Sequence, residues 1–169
     1  MLRAQTGDRE AIELLLRSVQ PLLTRYIRGI VGGQYAEDIT QEVLLTIHRK
    51  LWWLTSAELF RPWMLRIASR TAFRFLKRER RWPDHLRDDE ALDMLISPGP
   101  APSPDAVEEL LRHASLTPMS RAVLLLHFAE EMSLQEVAAV LEVPLGTVKS
   151  RLAYGLAALR RHPDLRRMS

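Results

Sequence analysis

Apolar residues recur at three- and four-residue steps through most of this 169-residue chain. Ile12, Leu15, Leu16, Val19, Leu22, Leu23, Tyr26, Ile27 and Ile30 trace one buried helical face, with Asp8 placed to cap its start. Pro21 predicts a kink or a break into two helices, because proline lacks the N–H that a helix interior uses. Gly32-Gly33 ends the pattern. Ile39, Val43, Ile47 and Leu51 then stack at four-residue intervals in a helix over about 36–51. That stripe leaves Asp38, Gln41, Glu42 and Leu45 on other faces. A third helix is predicted from Phe60-Arg61-Pro62, proline being tolerated in a first turn. It turns Trp63, Met64, Ile67, Ala68, Thr71 and Leu76 inward and an Arg series outward.

The pattern stops at Pro83. Residues 98–104 hold four prolines, which neither a helix nor a sheet interior accepts. Residues 83–104 are therefore predicted to be an extended, protease-sensitive linker between a domain over 1–82 and another over 105–169. Asp105 heads a short helix with Leu110, Leu111 and Ala114. Thr117-Pro118 then opens a helix through Val123, Leu124, Leu126 and Phe128. Ser133-Leu-Gln-Glu136 matches a capping box, with Val137, Ala138 and Leu141 on the apolar side. A turn at Glu142-Val-Pro144 leads into a helix over 145–161, with Val148, Leu152, Leu156 and Leu159 as its core stripe. No strand pattern survives. The predicted fold is all-α, as two small helical domains joined by a flexible Pro-rich linker.

Composition narrows the function. The chain has no cysteine, which removes disulfides, thiol catalysis and Cys-based metal sites. The five histidines (48, 85, 113, 127 and 162) lack metal-ligand spacing, and no nucleophile–base pair or Gly-rich phosphate loop occurs. No cofactor, metal or catalytic activity is expected. The first eight residues hold no apolar signal core and no run reaches the ~20 apolar residues of a spanning helix, so a cytoplasmic protein is expected, with no membrane insertion of its own. Only eight residues follow Arg161, so no C-terminal regulatory domain is expected.

Net charge is +3, but unevenly spread. Residues 61–81 hold eight Arg/Lys and one acid, 84–109 hold eight acids and one Arg, and 145–167 hold six Arg/Lys and one acid. Two basic blocks flanking an acidic one point to polyanion binding at two places, or to solvated helix faces. The second basic block decides in favour of nucleic acid. A short helix, a tight turn and a second helix opening on Thr147, Lys149, Ser150 and Arg151 form a helix-turn-helix. Those residues sit where a recognition helix meets base edges and phosphates.

Five stretches go further. Leu116-Thr-Pro, Ser133-Leu-Gln-Glu-Val-Ala and Val143-Pro-Leu-Gly-Thr-Val-Lys-Ser-Arg-Leu152 resemble region 4 of bacterial sigma factors of the extracytoplasmic-function class. Ala36-Glu-Asp-Ile-Thr-Gln-Glu-Val43 resembles region 2.2 of that family, and Phe60-Arg-Pro-Trp-Met-Leu-Arg-Ile-Ala68 its region 2.3. The resemblance covers about 7–81 and 105–161.

It implies a sigma factor that binds core RNA polymerase and directs initiation at promoters through −35 and −10 elements. Asp38, Gln41, Glu42 and Leu45 are then the expected polymerase contacts. The −10 strand would meet Thr55, Ser56, Glu58, Leu59 and Phe60, with Arg66, Arg70, Arg74 and Lys77 on the following helix. The −35 duplex would meet Thr147, Lys149, Ser150, Arg151 and Tyr154. The family usually has Asn in place of Arg70 and often an acid in place of Arg74; both changes favour phosphate contact over base reading. Glu142 stands where glycine commonly makes the turn. Trp52 and Trp53 are read equally as base-stacking or core side chains. An anti-sigma partner is implied by the resemblance, as is passage of the acidic linker through the polymerase near its active centre. The competing readings are a sigma-like decoy that never touches DNA and a stand-alone helix-turn-helix regulator.

Overall fold

In a computed structural model of the chain, residues 8–79, 111 and 116–160 are described. All regular structure among them is helical. Asp8 Oδ1 accepts the Ala11 N–H at 3.1 Å and opens α1, Arg9–Val31. Pro21 neither ends nor splits this helix, so of the expected kink or break the break does not occur. Its ring lies on the exposed side, so the helical donor that Arg17 O loses is missing on a face open to water. Gly32 closes α1 with φ 90°, its N–H reaching Arg28 O at 2.9 Å, a backbone state that suits glycine. α2, Gly33–Lys50, follows at once, and a 3₁₀ turn, Leu51–Trp53, ends it. α3 is Phe60–Arg78.

Leu23, Tyr26, Ile27 and Ile30 of α1, Ile39, Val43 and Ile47 of α2, and Met64, Leu65, Ala68 and Ala72 of α3 form the core of the first unit. Two polar or aromatic contacts fix α3 within it. The Tyr26 hydroxyl lies 2.7 Å from Ser69 Oγ, and the Tyr35 and Phe75 rings meet at 4.9 Å. Ser69 also donates to Leu65 O at 2.8 Å, so this buried hydroxyl pair is satisfied.

The chain divides into two compact units, 1–75 and 76–169, the division falling in the last turns of α3. The linker expected at 83–104, the short helix after Asp105, and Arg80 and Arg81 lie outside the described residues, apart from Leu111, which is helical and buried.

In the second unit Thr117 Oγ1 accepts the Ser120 N–H at 3.1 Å and starts α4, Pro118–Leu124. The predicted continuation through Phe128 exists as a π turn, Leu125–Ala129, closed by the Glu130 N–H on Leu125 O at 3.0 Å. Glu131 then reverses the chain with φ 56°. Arg121 holds this end together: its guanidinium donates to the Leu116 and Leu111 carbonyls, and burial pushes its pKa below the ordinary value. Half-buried His127 bonds through Nδ1 to Met132 O at 2.8 Å, and that nitrogen must donate, since a carbonyl only accepts. The capping box predicted at Ser133 and Glu136 is present and starts α5, Leu134–Leu141. Glu142, at φ 58° and ψ 42°, makes the turn, and α6, Leu145–Arg160, packs on α4 and α5.

α6 differs from its predicted stripe. Val148 is buried, but Leu152 and Leu156 are only half-buried, and among the described side chains of this helix the other buried positions are Arg151 and Gly155, Leu159 lying outside them. Gly155 is the close-contact point. A Cβ there would stand 2.9 Å from Leu124 Cδ1 and 3.2 Å from its Cγ.

Candidate nucleic-acid interface

Burying Ile39, Val43 and Ile47 turns the opposite side of α2 outward. Asp38, Gln41, Glu42 and Leu45 are all exposed, Leu45 at 56%. The sequence therefore placed these four correctly on open faces. Acceptors at 38, 41 and 42 beside an uncovered leucine suit a partner that offers cations around an apolar spot. Glu42 is not isolated, for its Oε1 stands 3.7 Å from Arg74 Nη1 of α3.

The segment between α2 and α3 presents side chains by burying one. Leu51 is 2% exposed, and the Leu54 N–H bonds back to Leu51 O at 3.2 Å. The turn held in this way pushes Trp52 and Trp53 out, at 65% and 66% exposure, so neither packs in the core. Beyond them Thr55 and Glu58 are exposed, and Ser56 is half-buried with its Oγ accepting the Glu58 N–H at 3.3 Å. Leu59 is exposed at 51%. Phe60 is not. It is 8% exposed at the first turn of α3, 6.1 Å from the half-buried Trp63 ring. The expected contact of Phe60 with DNA is corrected accordingly: this ring anchors the helix start.

Along α3 the predicted cations separate into two kinds. Arg70, Arg74 and Lys77 are exposed, whereas Arg66 is half-buried. Their four- and three-residue spacing lines one side of the helix, opposite Met64, Ala68 and Ala72.

On α6, Lys149 is exposed, and Thr147, Ser150 and Tyr154 are half-buried. Ser150 Oγ donates to Thr147 O at 2.9 Å, which leaves its lone pairs for an incoming donor. Arg151 is the second correction. At 5% exposure it faces inward with Val148 and Gly155, and burial holds its pKa below the ordinary value while Tyr154 acts in the opposite sense. A guanidinium so buried is packed beneath the helix and is not presented outward as the sequence leads one to expect. Its basic neighbour in the sequence, Lys149, carries the outward charge.

No group of three or more His, Cys, Asp or Glu able to hold a metal occurs among the described residues. The arrangement is one of contact surfaces: an acidic and polar face on α2, an exposed aromatic and cationic segment through α3, and a helix-turn-helix whose second helix offers Lys149. Gly155 was missed in the sequence, its role being visible only once α4 lies against it. The inward Arg151 was missed because a charged residue at a recognition-helix position is ordinarily read as outward.

Comparison with known proteins agrees with this geometry. Residues 15–82 match the family model of sigma-70 region 2, and residues 114–161 that of sigma-70 region 4. The chain is 32% identical to the RNA polymerase sigma-H factor of Pseudomonas aeruginosa, across 89% of this chain and 84% of that one. It is 25% identical to the ECF RNA polymerase sigma factor SigW of Bacillus subtilis, across 94% and 92%. Among solved structures, the sigma factor RpoE of Bartonella quintana, crystallised with the anti-sigma factor NepR, shares the fold with a TM-score of 0.66 at 20% identity, covering 89% of this chain and 95% of that one. Two family regions in order, and a relative of this identity over nearly the whole length, settle the assignment: the chain belongs to the sigma-70 family, in its extracytoplasmic-function class, and is a promoter-directing RNA polymerase sigma factor.

Proposed function

We propose that this chain docks on core RNA polymerase through Asp38, Gln41, Glu42 and Leu45, holds the −10 strand against the 55–59 segment and the α3 cations, and reads the −35 duplex with α6. The observation that carries this reading is the sorting of side chains on α2: the apolar stripe at 39, 43 and 47 is buried and the four docking candidates are open. Arg70, Arg74 and Lys77 supply phosphate contacts for a strand that has left the duplex. Thr147, Lys149, Ser150 and Tyr154 face the −35 element, with Lys149 free to meet phosphate or a guanine edge. Bond making belongs to the polymerase, and this chain supplies position. It works in the cytoplasm beside the polymerase; no helix among the described residues is long and apolar enough to cross a membrane. An anti-sigma factor is the further partner expected, as the RpoE neighbour was crystallised with one.

The test pairs binding with transcription. Asp38→Arg together with Glu42→Arg is expected to lower affinity for core polymerase and remove run-off transcript, with the unfolding midpoint nearly unchanged because both positions are exposed. Wild-type core affinity in that variant refutes the docking face.

A further inference from the structure

Asp38, Leu45 and Trp52 are spaced by seven residues, and all three are exposed. Seven residues make about two helical turns, so the three lie on one line along α2 and the turn that ends it. Gln41 and Glu42, then His48 and Arg49, fill the same open face between them. We infer that the polymerase-docking face runs on past Leu45 to Arg49 and Trp52, and that its partner surface carries cations at one end and a carboxylate beside an apolar spot at the other. The inference rests on the docking reading above, and it adds to that reading a second apolar anchor and a fixed direction.

Continuity of the helix is the first support. Lys50 and Leu51 both keep right-handed helical dihedrals, at φ −112°, ψ −3° and at φ −57°, ψ −35°. Leu51 is buried in line with Leu44 and Ile47, seven and four residues before it. The phase of α2 therefore persists through Leu51 and carries Trp52 to the side that Leu45 occupies. The second support is where the ring is held. Trp52 Nε1 donates to Arg49 O at 2.7 Å, which draws the indole back along α2, towards Leu45. Its N–H is spent within the chain, so what the ring offers is apolar surface, fixed before any partner arrives. Trp53 stands beside it, with ring centroids 5.4 Å apart, and widens the apolar end of the face.

Charge is the third support, and it sets the direction. Asp38 and Glu42 stand at one end of the line and Arg49 at the other, and no acid occurs between Glu42 and Glu58. A uniformly cationic partner would be attracted at the first end and repelled at the second. A partner with the reverse order of charges meets both ends, and matching of this kind fixes register and orientation. Leu45 and Trp52, about 10 Å apart along the axis, then supply the apolar contact. Tryptophan is among the residues on which binding energy concentrates once a partner covers them, so Trp52 is the stronger anchor of the two.

The experiment measures the affinity of full-length variants for core polymerase, and then the binding of each assembled polymerase to a forked promoter probe whose −10 strand is unpaired. Trp52→Ala should lower core affinity by about tenfold and Trp53→Ala by less, while Trp52→Phe keeps most of it. Arg49→Glu should also lower it, by about fivefold, whereas Lys50→Glu, off the line of 38, 45 and 52, should change it by less than about twofold. Unfolding midpoints should hardly move, since all four side chains are exposed. Wild-type core affinity in Trp52→Ala overturns the extension, and if binding to the forked probe falls instead, the indole belongs to the strand. A gain in core affinity from Arg49→Glu overturns the reversed order of charges and reveals a uniformly cationic partner. Asp38→Arg with Glu42→Arg separates the two levels. If that variant loses core affinity and the Trp52 and Arg49 variants do not, the extension alone falls; if it too binds core normally, the docking face itself falls.

Discussion

Gly155→Ala probes the contact that seats the recognition helix. The new Cβ would lie 2.9 Å from Leu124 Cδ1, whereas ordinary carbon–carbon contact is ~3.5–4.0 Å, so Leu124 must turn or α6 must back away by about 0.6 Å or more. Leu124 has no exposed surface, and its neighbours Val123 and Leu125 are equally enclosed, so there is little room to turn. Overpacking of this sort costs roughly 1–3 kcal/mol, and Ala in place of Gly within a helix returns ~1 kcal/mol. The net expectation is a loss of about 1 kcal/mol, confined to the second unit. Because the chain has two units, a single global midpoint is a poor readout. Amide hydrogen exchange in the intact chain, followed in peptides from α4 and α6, reports the local free energy directly. Exchange there should quicken by about fivefold while α1 and α2 are unchanged. Leu124→Ala supplies the control. Alone it should cost ~2–5 kcal/mol, but in the Gly155→Ala background about 1 kcal/mol less, because the added methyl enters the space that leucine leaves. Slower exchange in Gly155→Ala, or strict additivity of the pair, refutes the close-approach argument.

Further predictions concern the same unit. Lys149→Ala should weaken −35 duplex binding and flatten its salt dependence by roughly one unit of slope, whereas Arg151→Ala, losing a buried side chain, should lower the stability of the unit before it changes that slope. Titrating duplex affinity against salt, beside a denaturation curve for each variant, separates the two, and a lost phosphate contact in Arg151→Ala would contradict its inward placement. Glu142→Gly should raise stability by about 1 kcal/mol, because the turn holds a non-glycine residue at φ 58°, and a lower midpoint in urea would show that the glutamate side chain does more than occupy the turn.

The sequence was most informative where one local interaction decides the structure. Asp8, Thr117 and Ser133 cap helices as their side chains and following residues require. The apolar stripe of α2 gave both the buried face and, by exclusion, the open one. Legibility failed where the outcome depends on a neighbour distant in the chain. Pro21 lies inside an unbroken α1 because burial of Leu23, Tyr26, Ile27 and Ile30 outweighs one missing backbone bond. The stripe of α6 runs through Arg151 and Gly155 because α4 approaches there, which hydropathy does not register. Trp52 and Trp53 have the same composition signal whether in or out. Only the burial of Leu51 beneath them decides it.

The Glu42–Arg74 pair allows a prediction about how the two contact faces of the first unit affect one another. Glu42 is proposed to meet polymerase and Arg74 to meet the −10 strand, yet in the free chain they stand 3.7 Å apart, with side chains 55% and 70% exposed. Neither ion then reaches its outside partner without leaving the other. An exposed pair of this kind is worth ~0.2–1 kcal/mol, so release of one by its partner favours engagement of the other by at most about fivefold. Competition fixes the sign. Arg74→Ala should raise affinity for core polymerase by up to about fivefold, since Glu42 no longer has an internal cation, and the same change should lower affinity for an unpaired −10 strand. If Arg74 merely added positive charge to a surface that polymerase avoids, Arg70→Ala would raise core affinity equally, because Arg70 lies one turn away on the same exposed side of α3. Core affinity measured for both single variants, and for each in a Glu42→Gln background, decides between the two. The pair acts as a coupling only if the Arg74→Ala gain disappears in Glu42→Gln, and an undiminished gain there would refute it.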